Sequence, residues 1–259
     1  MKRIMALTAA AAMLALTSCG IENPIVIVND SEYIELAAGQ VTQLSTDISV
    51  GNIGISYGDT ENAKVHVDYK IQGITQNKVS AVSEHLACKA EIADDVLVVS
   101  IIDNETGKSF WEWKNSNAKA VEVEANVDIE LPESFDTFGV NADVGNVEIN
   151  GLSGAFDVKC DVGNLEMKDV GILADSEMSV DVGNCSISLA AVDECEAKVS
   201  VDVGDIDLDT GDYTYELTSG DDDKPVGGKQ EIVVGGKCTM KLECDVGSID
   251  LEQQEDKNV

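Results

Sequence analysis

The chain has 259 residues, 49 of them acidic and 17 basic, for a formal net charge of −32. Its only arginine is Arg3, so it lacks the basic footprint and the guanidinium forks that nucleic-acid binding needs. The same charge disfavours flat contact with an anionic membrane and leaves cations, basic proteins or neutral surfaces as partners.

Lys2 and Arg3 precede an apolar run from Ile4 to Leu16. That run is too short to span a bilayer and reads as a secretory signal. It ends in Leu16-Thr17-Ser18-Cys19-Gly20, which resembles the bacterial lipobox. The resemblance implies a signal peptide over 1–18, lipid on Cys19 and a short tether over 19–24. Two or three acyl chains anchor stably. The expected place is therefore a bacterial cell envelope, with membrane contact through the lipid alone.

Residues 25–135 read as an irregular, β-rich part of one domain. Val65-His66-Val67-Asp68-Tyr69 and Val96-Leu97-Val98-Val99-Ser100-Ile101 are strand-like, and Val79, Val82 and Leu86 mark one short helix. Gly54-Ile55-Ser56-Tyr57-Gly58 has the spacing of a hydrolase nucleophile turn. Strand patterns on both sides argue against the strand–turn–helix that such a turn requires. Both tryptophans sit in Phe110-Trp111-Glu112-Trp113, in an apparent loop. Phe110, Trp111 and Trp113 are the candidate ligand-binding residues, since paired aromatics stack on sugars or anchor proteins. Packing against the domain is the competing role.

Residues 136–252 carry a repeated word. It reads Asp143-Val144-Gly145-Asn146, Asp161-Val162-Gly163-Asn164, Asp181-Val182-Gly183-Asn184, Asp202-Val203-Gly204-Asp205 and Asp245-Val246-Gly247-Ser248. A period near 20 residues points to one supersecondary unit stacked on copies of itself. Apolar and polar residues alternate on both sides of each word, and the Gly and its successor flip the parity. The expected fold is all-β: a single-stranded, right-handed parallel β-helix, or β-solenoid, with coils of about 20 residues. The long last step predicts a degenerate coil starting at Asp223, with Ile232 and Val234 on its second arm. Residues 253–259 read as a polar tail.

In this reading Asp143, Gly145, Asp161, Gly163, Asp181, Gly183, Asp202, Gly204, Asp245 and Gly247 are structural corner residues. Val points inward and Gly bends. Asp accepts backbone N–H groups of its own bend; a column of divalent cations is the alternative. No spacing suggests a metal site or a cofactor. The six cysteines after Cys19 fall on apolar strand faces and read as core thiols, with a Cys195–Cys238 disulfide as the alternative.

The run Val127-Asp128-Ile129-Glu130-Leu131-Pro132 followed by these words resembles the bacterial putative-adhesin family, domains of unknown function. The resemblance spans roughly residues 30–252 and implies a β-solenoid on a cell surface with no catalytic motif. The functional expectation is a lipid-anchored, non-enzymatic envelope protein that binds a protein or glycan. A sensor or regulatory accessory binding a ligand near the membrane is the alternative.

Overall fold

Alternation of apolar and polar residues dictates nearly every element. The computed structural model describes residues 25–59, 61–191, 195–209, 228–232 and 238–253. The signal peptide, Cys19 and its tether, Asp223, Val234 and all but the first residue of the tail lie outside the described residues. The first part comprises strands β1 (Val26–Ala37), β2 (Gln43–Val50), β3 (Ile53–Tyr57) and β4 (Asn62–Gly73). Helix α1 (Gln76–His85), β5 (Leu86–Ala93), β6 (Val96–Asp103), helix α2 (Phe110–Asn117) and β7 (Glu122–Leu131) follow. The rest is strand: β8 (Thr137–Val144), β9 (Val147–Asn150), β10 (Ser153–Val162), β11 (Leu165–Ile172), β12 (Ser176–Ala191), β13 (Cys195–Asp209), β14 (Gly228–Ile232) and β15 (Cys238–Gln253).

β4 shows the rule: Ala63, Val65, Val67, Tyr69 and Ile71 are buried while Lys64, His66, Asp68, Lys70 and Gln72 are not. In α1 the buried Val79 and Val82 give the helical spacing. The aromatic segment, read as a loop, is the helix α2, and Phe110 and Trp111 form its buried face.

Twelve strands form one continuous path, β1-β4-β7-β3-β9-β11-β12-β10-β8-β2-β6-β5. The long β12 pairs with β10 before its bend at Gly183 and with β11 after it. The two ends of the path approach each other. The Glu32 carboxylate on β1 accepts the Cys88 N–H of β5 at 2.9 Å and the Tyr69 hydroxyl at 3.3 Å. The result is a nearly closed, barrel-like mixed sheet around an apolar interior that holds Leu44, Leu97, Ile55, Ile149, Phe138 and Phe156.

This corrects the expected parallel β-helix or β-solenoid. The pairs β1–β4, β4–β7, β5–β6 and β13–β14 are antiparallel. Repeated words constrain only the strands that carry them; elsewhere turns set strand direction. Asp94 and Asp95, both at positive φ (51° and 63°), join β5 to β6 by the two-residue turn that suits a twisted hairpin. The repeat does not run in chain order either. β15 lies between β12 and β13, with Val182 opposite Val246 and Val246 opposite Val203. Gly228–Ile232, expected in a further parallel coil, instead pairs antiparallel with β13.

Cys88, Cys160, Cys185 and Cys244 are buried free thiols. Cys238 is disulfide-bonded, and the residue opposite it in register is Cys195. Burial pushes the Cys88 and Cys185 thiols up to about 12 and Cys160 up to about 11. Since the thiolate is the reactive form, these three should label slowly at pH 8 in the native protein and fully after denaturation. Mass spectrometry of alkylated peptides measures both; equal labelling in the two states would refute the packing.

Candidate interaction surfaces

Three surfaces are candidates for interaction. The first gathers around α2. Phe110 and Trp111 are buried, with ring centroids 5.2 Å apart and nearly perpendicular. Trp113 is partly buried and stacks on His85 with centroids 3.9 Å apart. His85 ends α1 and reaches Asp103 at the end of β6, Nδ1 to Oδ1 at 2.7 Å. A carboxylate only accepts, so Nδ1 carries the proton. Asp103 is 1% exposed and also accepts from the Thr106 hydroxyl at 2.5 Å and the Glu105 N–H at 3.3 Å. The structure thus brings the three named aromatics together but places two of them inside. Trp113, with its His85 stack, is the one that is only partly buried.

The Thr106 bond, followed by the His85 bond, holds the Asp103 carboxyl below the usual carboxylate range. A carboxyl depressed on folding contributes stability above its unfolded value, near pH 4, and loses it as pH falls through the lower folded value. Asp103→Asn should therefore be destabilising at pH 6, and its deficit relative to wild type should shrink toward pH 2.5. Thermal melts of both proteins across that range test this; a deficit independent of pH would contradict it.

The second surface is a polar groove of about 520 Å³ on the outer face of β1, β4, β7, β3 and β9. Register builds it from two rows: Tyr33, His66, Asp128, Gly54 and Glu148 in one, and Lys64, Glu130, Ser56 and Asn150 in the other. The small outward residues of β3, Gly54 and Ser56, form the floor, while Ile55 faces the core. The nucleophile-like spacing is thus strand alternation. Ser56 makes no hydrogen bond to His66 among the described residues, and His66 lies 3.6 Å from Asp68.

The third surface is formed by the repeated words. Their glycines stack: a Cβ built on Gly163 (φ +154°) would overlap the carbonyl oxygen of Gly145, and one on Gly183 would overlap that of Gly163. The asparagines form a ladder. Asn146 Oδ1 accepts the backbone N–H and the side-chain amide of Asn164 at 3.0 and 3.1 Å. Asn164 Oδ1 accepts both from Asn184, and Asn184 Oδ1 accepts the Ser248 N–H and hydroxyl. The expectation that Asp caps its own bend is thus corrected: an asparagine carboxamide one rung away serves the bend amide.

The valines do not point inward. Val144, Val162, Val182, Val246 and Val203 are each 47–49% exposed. They stand in register as one file, flanked by Asp143, Asp161, Asp181, Asp245 and Asp202. Sequence alternation placed the bend at Gly and its successor. In the structure none of the four residues of the word is buried, and Val162 and Asn164 are exposed, between buried Cys160 and buried Leu165 in the second copy.

No family model matches the chain, and no curated protein matches it. Three solved structures are similar. A putative cell adhesion protein from Clostridium sporogenes is 17% identical with a TM-score of 0.43, covering 87% of this chain and 99% of its own. A putative adhesin from Bacteroides fragilis is 16% identical with a TM-score of 0.31, covering 86% and 97%. One from Parabacteroides distasonis is 9% identical with a TM-score of 0.29, covering 87% and 97%. Likeness at this level carries no functional argument for this chain.

Proposed function

We propose that this chain is a non-enzymatic interaction module of a bacterial cell envelope, anchored through lipid on Cys19 and exposing its all-β body to a protein or glycan ligand. The observation that carries the interaction reading is the valine file. Scattered exposed apolar residues are ordinary, whereas a contiguous exposed apolar strip marks a contact surface. The test is photo-crosslinking in cells from a reactive residue at 162 or 182. Adducts from both, and none from position 107 on the turn after β6, are expected; no adduct from either would overturn the reading. Replacing Cys19 with alanine should abolish labelling by a radioactive fatty acid.

The alternative, a sensor or accessory that takes a small ligand, draws on the polar groove. Saturation with such a ligand would raise the melting temperature, and Tyr33→Ala should remove the rise.

A further inference from the structure

Resting on the reading of the valine file as a contact surface, we infer that its occupant is a cationic amphipathic helix of a partner protein. Three observations specify that chemistry.

At its first three rungs the file offers side chains and no free carbonyl. Val144 O accepts the Gly51 N–H at 2.9 Å, Val162 O the Gly145 N–H at 3.0 Å, and Val182 O the Gly163 N–H at 3.0 Å. These carbonyls are already bound along the stack, so across these three rungs strand addition, which needs a sheet edge, has nothing to pair with.

Spacing selects the helix. Successive rungs lie ~4.8 Å apart, so the four steps from Val144 to Val203 span ~19 Å. Same-face residues of an extended strand recur every ~6.7 Å and fall out of step by ~2 Å per rung. One helical turn is ~5.4 Å, a slip of only ~0.6 Å per rung. A helix of about 13 residues covers the whole file.

Charge selects the sign. On one flank stand the five word aspartates. Lys159 pairs with Asp161; the other four have no ion pair among the described residues. Like charges at that spacing repel, and lysines or arginines once per turn along one side of a helix would answer them. The other flank is the hydrogen-bonded ladder of Asn146, Asn164, Asn184 and Ser248, neutral over four rungs and ending at Asp205. The chain's net charge of −32 opposes both a second copy of itself and an anionic lipid surface.

The probe is a labelled synthetic helix of about 13 residues with a leucine stripe bordered by lysines on one side. Its binding to the full-length protein is followed by fluorescence anisotropy at low and high salt. Val162→Thr/Val182→Thr/Val246→Thr, nearly isosteric and suited to strands, should weaken binding about tenfold or more. Asp143→Asn/Asp181→Asn/Asp245→Asn should flatten the salt dependence. Circular dichroism and melting confirm that both variants fold.

The inference is overturned if a glutamate-for-lysine peptide, or a proline-interrupted one, binds as well as the probe, or if the threonine variant binds the probe as wild type does. Vesicle binding and sedimentation of the full-length protein separate the two levels of the argument. If the threonine variant changes either of these but not peptide binding, the surface stands and the helical partner falls. If no measurement distinguishes it from wild type, both fall.

Discussion

Gly163→Ala is expected to lower the melting temperature by about 10 °C. At φ +154° the new Cβ would overlap the carbonyl oxygen of Gly145 on the neighbouring rung. Backbone strain alone costs ~1–3 kcal/mol. Relieving the overlap must also spread the rungs that the Gly145 N–H to Val162 O bond, at 3.0 Å, holds together. A total of about 3–4 kcal/mol, at about 2–4 °C per kcal/mol for a domain of this size, gives the stated shift. Gly107 is the control. Its φ is +69°, but a Cβ there meets nothing within 4 Å, so Gly107→Ala should cost only about 1 kcal/mol. Calorimetry that found equal losses at both positions would reject close stacking as the reason for glycine.

Phe156→Ala should cost about 3–5 kcal/mol, the usual penalty for emptying a core aromatic site. Phe156 and Phe138 are fully buried and lie opposite each other on β10 and β8, with ring centroids 5.0 Å apart and planes at 22°. The backbone there cannot easily collapse into the void. The Phe156 N–H donates to Ser176 Oγ at 3.0 Å, and that hydroxyl donates to Ala174 O at 2.9 Å. A double-mutant cycle with Phe138→Leu should leave about 0.5–1.5 kcal/mol of coupling between the rings. Urea midpoints at unchanged slope give these values. A loss below ~1 kcal/mol for the alanine variant would mean that the interior is not packed as described.

Strand content was legible in the sequence because burial with period two leaves its mark residue by residue, as in β4 and in both arms of each word. The aromatic triplet was legible as a cluster but not as a helix. Eight residues with Phe110 and Trp111 adjacent show no helical period; the helix packs against β6 and stacks Trp113 on His85. The valine file was misread for a related reason. A parity break tells that a corner exists between Cys160 and Leu165, but not how many residues it uses. The structure buries none of the four, and the apolar residue is exposed with them.

By itself, the sequence determined that the chain is all-β with one short helix, where its corners lie, and that each corner needs glycine. These are local consequences of alternation and of backbone geometry. Tertiary structure alone decided that the sheet is mixed and nearly closed, that β15 enters between β12 and β13, and that five valines separated in the chain become one exposed file beside five aspartates. Those outcomes depend on which strand edges meet. Edges pair through backbone groups that every residue carries, so composition and period leave no trace of the choice.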